Sequence, residues 1–257
     1  MVEAPCAAQH FAERIVQSRG LRTFAEDLGR RLRAGSHLIL YGPRGAGKST
    51  LLAAMREDNR AFDAPCGIAA ATSGLGDVVG ALAQAYPGID IEGLGRRAAR
   101  ARLRSAADRV SGVLLLDHAT TVTSAMLGYL RRLRGGIAGA LLVVDVDTDH
   151  ERDRLRAWRI GALSVRMPLA PDRQLHQMLI ASIRRAALPE IEPKLAQQIA
   201  HAARGRVGWL RACVDRMETE DYWRDGRLHL AALCTDTEIA LRESRPGPRL
   251  WWRRGAT

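Results

Sequence analysis

Residues 42–50 read Gly42-Pro43-Arg44-Gly45-Ala46-Gly47-Lys48-Ser49-Thr50. Glycine, four residues, then Gly-Lys-Ser is the spacing of a loop that cradles phosphate. The glycines permit backbone conformations closed to other residues, so successive N–H groups can turn inward and form an anion nest. A helix opening directly after the loop aims its positive end at the same point. Lys48 adds a mobile cation suited to β- and γ-phosphates. Ser49 offers a hydroxyl to Mg²⁺, a hard ion that takes oxygen ligands and keeps several waters. Of the 39 Lys and Arg residues in the chain, only Lys48 and Lys194 are lysines. One of the two therefore stands where a phosphate site needs it.

Such a loop works with a carboxylate at the end of a neighbouring strand, which holds the Mg²⁺ shell. Asp117 closes the apolar run Val113-Leu114-Leu115-Leu116 and fits that role; an aspartate there would also serve to cap a following helix. The next residue is His118. Most hydrolases of this type place a glutamate there to orient water. An imidazole can act as a base near neutral pH, or stand as a non-catalytic replacement. Weak hydrolysis is the expectation, because proton transfer demands a specific geometry.

Five strand-like segments set these residues in place: His37 to Tyr41, 67–71, 112–117, 140–146 and about 162–167. Helix-like segments lie between them. Continuous apolar strands alternating with helices predict a parallel sheet covered on both faces. Val122, Met126, Tyr129, Leu130 and Leu133 share one helical face, with Arg131, Arg132 and Arg134 off the stripe. Residues 95–109 carry a run of arginines that reads either as a nucleic-acid-facing helix or as a solvated face. After Pro168 only helical periods remain. Leu175, Leu179 and Ile183 form one stripe, Leu195, Ile199 and Ala203 a second, and Leu210, Val214 and Met217 a third after Gly205 and Gly208. Leu230, Leu233, Thr237, Ala240 and Leu241 mark a last helix. The expected division is an α/β core over 1–168, a small all-helical lid over 169–243, and a basic tail over 244–257 that holds Trp251-Trp252.

The net charge of +11 suits a polyanionic partner, chiefly nucleic acid; arginine-rich, lysine-poor composition also arises from coding bias. Cys6, Cys66, Cys213 and Cys234 are too scattered for a zinc site or a disulfide framework and read as reduced thiols. No apolar run approaches a membrane span, and the N-terminus has no signal pattern. A soluble cytoplasmic protein is expected.

The phosphate loop, the LLLDH segment, the strand Ala140-Leu141-Leu142-Val143-Val144-Asp145-Val146 and the later Gly205-Arg206-Val207-Gly208-Trp209-Leu210-Arg211 together resemble an AAA+ ATPase over about residues 10–217. The branch they resemble holds origin-recognition proteins, secretion ATPases of the ExeA type and transposition helpers of the TniB type. The resemblance implies a five-stranded parallel sheet in which the Asp117 strand neighbours the Ala140–Val146 strand, itself beside the phosphate-loop strand. It implies ATP with Mg²⁺ as ligand, cradled by Gly42, Pro43, Arg44, Gly45, Ala46, Gly47, Lys48, Ser49 and Thr50, with Ser49 and Asp117 holding the metal. ATP would bridge core and lid. The sensor-one candidates are Asp145, Asp147 and Thr148, and the trans-acting arginine candidates are Arg156 and Arg159. Residues 11–16 match the adenine-side entry loosely. The second sensor, an arginine three residues after a lid glycine, falls on Gly208; Arg211 lies one turn further and is the substitute. Lys48, Asp117, His118, Arg156 and Arg159 make up the implied catalytic set, and Arg211 joins the nucleotide-binding residues. Together they suit an ATP-dependent switch or assembly factor, homo-oligomeric, acting with DNA or a DNA-processing protein. A regulatory ATPase that docks a protein partner through the Trp251-Trp252 tail, without nucleic acid, is the alternative. A small-molecule kinase shares the loop but not the helical second domain.

Overall fold

The computed structural model describes residues 19–57, 66–69, 75–86, 89–107, 112–117, 129, 137–145, 163–224 and 226–243. The chain divides into two compact units. One is built on the sheet; the other joins the helices from Met167 onward to the five loop residues Pro43–Gly47.

The sheet unit holds α1 (Arg19–Arg33), β1 (Leu38–Gly42), α2 (Lys48–Glu57), β2 (Cys66–Ala69), α3 (Leu75–Ala85), α4 (Arg96–Ala107), β3 (Gly112–Leu116), β4 (Ile137–Asp145) and β5 (Leu163–Arg166). The five strands are parallel in the order β2-β3-β4-β1-β5. The Asp117 strand thus lies beside β4, and β4 beside the phosphate-loop strand, as the resemblance implies. Apolar runs without alternation are what a sheet buried on both faces requires. Every residue of β3 is buried, and Leu38, Ile39 and Leu40 of β1 are too. On one face Val78, Ala81 and Leu82 of α3 and Leu103 of α4 join Ile39, Leu114 and Leu116 in one apolar cluster.

Two differences from the sequence reading have physical causes. Helix α1 was not anticipated, although Leu28 and Leu32 are fully buried on it; its arginines hide the stripe. Strand β4 begins at Ile137 rather than 140, because Gly139 breaks the apolar pattern without breaking the strand. That glycine is forced by packing. A Cβ at 139 would stand 2.5 Å from the Leu32 carbonyl oxygen and 2.7 Å from that of Ser36, so the end of α1 lies directly on the β4 backbone.

The helical unit contains α5 (Asp172–Arg185), α6 (Pro193–Ala202), α7 (Val207–Met217), a 3₁₀ turn (Glu220–Tyr222), a hairpin of β6 (Trp223–Arg224) and β7 (Arg227–Leu228), and α8 (Leu230–Glu243). The expected stripes are its core: Leu175, Leu179, Ile183, Ile199, Leu210, Val214 and Leu233 are buried, around a fully buried Trp209. Pro193 opens α6, where its fixed φ suits the first turn and its missing N–H costs nothing. The hairpin is too short to carry a strand pattern and was not expected.

Gly139→Ala would press a methyl onto backbone atoms that have no rotamer to escape into. It should lower stability by about 1–3 kcal/mol, read as a reduced urea midpoint with the slope unchanged.

Candidate phosphate-binding site

In the sheet unit the site begins where β1 ends. Gly42 pairs in register with Asp145, the last residue of β4. Lys48 opens α2 and is only 4% exposed. Its Nζ donates to the Gly42 carbonyl at 2.7 Å and stands 2.8 Å from Asp145 Oδ1. A buried ammonium needs such partners, since its desolvation otherwise costs several kcal/mol. Asp117, the residue after β3, is 5% exposed, and its N–H donates to the Ala69 carbonyl at the end of β2, 2.8 Å away. Parallel strands bring these residues to one edge of the sheet, the carboxyl end where open α/β sheets take ligands. Ser49 is exposed in the first turn of α2. Among the described residues no cluster of three or more His, Cys, Asp or Glu could hold a metal by itself. Mg²⁺ does not need one: one or two protein oxygens suffice when phosphates and water complete the shell. A serine hydroxyl and a buried carboxylate are the donor types it takes.

The loop residues Pro43–Gly47 belong to the helical unit. Gly45 and Gly47 take φ values of +78° and +91°, and the Ala46 N–H closes a turn onto the Pro43 carbonyl at 3.2 Å. The N–H of Gly208, in the first turn of α7, donates to the Gly45 carbonyl at 2.6 Å. Arg44 Nη1 donates to the carbonyls of Leu241 and Arg242, at 3.2 and 2.6 Å, in the last turn of α8. Helix ends carry backbone groups with no partner inside the helix, and α7 has no side-chain cap. The loop supplies the missing partner at the start of one helix and the end of another.

This contact bears on the second-sensor position. A Cβ on Gly208 would stand 2.9 Å from Gly45 Cα, and one on Gly45 would stand 2.9 Å from the Trp209 nitrogen. Glycine at 208 is therefore a close backbone approach and more than the loss of an arginine. The arginine two residues earlier is engaged elsewhere. Arg206 makes hydrogen bonds of 2.8 and 3.3 Å to the two carboxylate oxygens of Glu238 and lies over the Trp209 ring at 5.9 Å. Its guanidinium holds the Glu238 carboxyl below the usual glutamate range. Arg211, the expected substitute, is half exposed, 3.7 Å from Asp215, in a cleft shared with Ser182, Arg185 and Glu218.

Of the sensor-one candidates, Asp145 is the one within the described residues, and it meets Lys48. Asp147, Thr148, His118, Arg156, Arg159, residues 11–16 and the Trp251-Trp252 tail lie outside them, as does the 122–133 helix except for buried Tyr129. The Arg206–Glu238 pair was missed, because 32 residues separate partners that only tertiary packing brings together. Burial pushes the Cys213 thiol up to about 12, and Cys66, Cys213 and Cys234 are unbridged.

No protein-family model matches the sequence, and no curated protein matches it significantly. Solved structures do match. Cdc6p of Pyrobaculum aerophilum is 20% identical with a TM-score of 0.53, over 78% of this chain and 60% of its own. The Aeropyrum pernix ORC1 protein, solved in complex with DNA, is 18% identical with a TM-score of 0.54, over 85% of this chain and 64% of its own. Domain III of the Thermotoga maritima replication initiation protein DnaA is 17% identical with a TM-score of 0.51, over 88% of this chain and 95% of that domain. The chain spans about three fifths of the length of the first two. The fold is that of the AAA+ P-loop ATPases. No helix among the described residues is long and apolar enough to cross a membrane.

Two outcomes follow. Gly208→Arg should lower stability by about 1–3 kcal/mol through forced separation of the loop and α7 backbones, measured by thermal or urea unfolding. The Arg206–Glu238 pair adds stability that is present above the ordinary glutamate range and lost as pH falls through the lowered folded value of Glu238. Glu238→Gln should therefore flatten the acid limb of a stability–pH profile.

Proposed function

We propose that this chain is an ATP-binding AAA+ switch or assembly factor with slow ATP hydrolysis, working with DNA or a DNA-processing partner in the manner of the origin-recognition and TniB–ExeA branch. The observation that carries the reading is the Lys48–Gly42–Asp145 arrangement at the carboxyl end of β1 and β4. A buried ammonium held by a carbonyl and a carboxylate is a cation waiting for a stronger anion. Triphosphate oxygens offer one, and the nest of loop N–H groups together with the α2 terminus adds to the attraction. Ser49 and Asp117 would hold Mg²⁺, which bridges phosphates and neutralises their charge.

Slow turnover has support of two kinds. His118 stands where a water-orienting carboxylate is usual. Gly208, at the second-sensor position, gives its N–H to Gly45 and has no side chain to reach a phosphate. Such a protein changes state on binding ATP and holds it, as an assembly factor requires, and Arg156 or Arg159 would report a neighbouring subunit's nucleotide in an oligomer. The DNA part of the reading draws on the net charge of +11 and on the fold shared with a protein solved on DNA.

The reading is tested by titrating a fluorescent ATP analogue with Mg²⁺ and by sizing the protein with and without ATP and a short duplex. Binding that Lys48→Ala abolishes, with larger ATP-dependent species retaining DNA, supports it. A monomer that ignores ATP sinks it. Asp145→Asn should tighten nucleotide binding several-fold, since it removes the anion that competes for Lys48, while lowering the stability of the nucleotide-free protein. His118→Glu should raise ATP turnover; unchanged turnover would refute the account of position 118.

A further inference from the structure

Helix α4 carries arginines without any acid of its own, whereas α1 and α5 each hold an acid alongside theirs. In α1, Asp27 pairs with Arg30 at 3.1 Å and Arg31 at 2.8 Å, and Arg30, Arg31 and Arg33 occupy the last turn, where the helix dipole favours cations. In α5, Asp172 sits in the first turn, and Arg184 and Arg185 in the last. Helix α4 reads Arg96-Arg97-Ala98-Ala99-Arg100-Ala101-Arg102-Leu103-Arg104-Ser105-Ala106-Ala107. Its first turn opens on two arginines, at the end where the dipole disfavours them. It contains no acid; the nearest in sequence are Glu92 and Asp108. Arg97 and Arg100 stand three apart and Arg100 and Arg104 four apart, spacings at which like charges repel.

Burial sorts these residues into two faces. Ala99 and Leu103 are buried, and Arg100 is half-buried with its guanidinium 6.0 Å from the Tyr129 ring centroid. Arg97, Arg102 and Arg104 are exposed, and among the described residues none of them makes an ion pair. The exposed residues between them are Ala98, Ala101 and Ser105, small enough to let a partner approach the helix axis. A solvated face normally mixes both signs. One that sets cations against the dipole and against each other, with no ion pair to offset them among the described residues, is a local inconsistency of the sort found at functional surfaces.

We propose that the exposed side of α4, with Arg97 and Arg104 along one edge and Arg102 along the other, binds the phosphate backbone of duplex DNA. Arg97 and Arg104 lie about 10 Å apart along the axis, a span that covers several phosphates of a duplex. The guanidinium fork matches phosphate oxygens in two-point hydrogen bonds. The exposed residues beside the arginines are Ala98, Ala101 and Ser105, which discriminate bases weakly, so the contact is expected to position DNA more than to read its sequence. This proposal rests on the DNA reading above and assigns it a surface.

The test compares the full chain with the triple variant Arg97→Gln/Arg102→Gln/Arg104→Gln. Glutamine keeps helix propensity and removes repulsion, so folding should be unharmed. A control, Arg173→Gln/Arg184→Gln/Arg185→Gln on exposed positions of α5, removes the same net charge. Binding to a short random-sequence duplex is followed by fluorescence anisotropy over a range of salt, and thermal unfolding is measured alongside. The α4 variant is expected to bind at least tenfold more weakly at low salt, with a log–log salt slope shallower by about 2 to 3. Its midpoint should be unchanged or higher, and the control should bind as the wild type. Wild-type affinity and slope in the α4 variant would overturn the proposal while leaving the DNA reading intact. Equal losses in both variants would show a diffuse charge effect and overturn it too. A wild-type chain that retains no duplex, or binds anionic vesicles or an acidic peptide in its place, would remove both.

Discussion

A single buried cation organises the phosphate edge of the sheet. Lys48 is sequestered almost entirely from water, and the Gly42 carbonyl and the Asp145 carboxylate meet its amino group. Those oxygens come from strands 95 residues or more apart in sequence, and they face Lys48 only because β4 inserts between β3 and β1 with Gly42 in register with Asp145. A sheet wound in sequence order would leave the ammonium without its carboxylate. The non-sequential strand order, the apolar runs that bury it and the placement of α1 against Gly139 all serve that geometry.

The loop itself has two kinds of work. Gly45 and Gly47 take positive φ, the backbone freedom that the spacing of a phosphate loop calls for. Gly45 also meets Gly208 backbone to backbone, a constraint imposed by the helical unit. Glycine at a helical position is ordinarily a weakness of roughly 1 kcal/mol. At 208 it is the residue that lets α7 begin against the loop. An arginine that sensed phosphate from this position would need the two backbones to part.

Much of this was legible beforehand, and the limits are instructive. The Gly-x4-Gly-Lys-Ser spacing, the strands expected at 37–41 and 112–117 and the apolar stripes after Pro168 are local patterns, each set by a period of side chains on one element. Strand order came from likeness to a family and not from any period. The role of Asp145 was visible only as one of three polar candidates, because its partner is chosen by register. Gly208 read as the absence of a residue type, while its cause lies in a contact with Gly45 across more than 160 positions. Helix α1 was overlooked because five arginines dilute a stripe that Leu28 and Leu32 nonetheless bury completely.

Because Arg44 and Gly45 terminate α8 and α7, the loop and these two helices share one free energy. A ligand that draws Arg44 away leaves the last carbonyls of α8 exposed to water and lets that end fray; one that fixes Arg44 in place stiffens it. By thermodynamic linkage the influence runs equally in both directions. If the loop takes the proposed anion, a molecule that grips the end of α8 and alters this contact would change the loop's affinity for that anion by the same factor that the anion changes the grip.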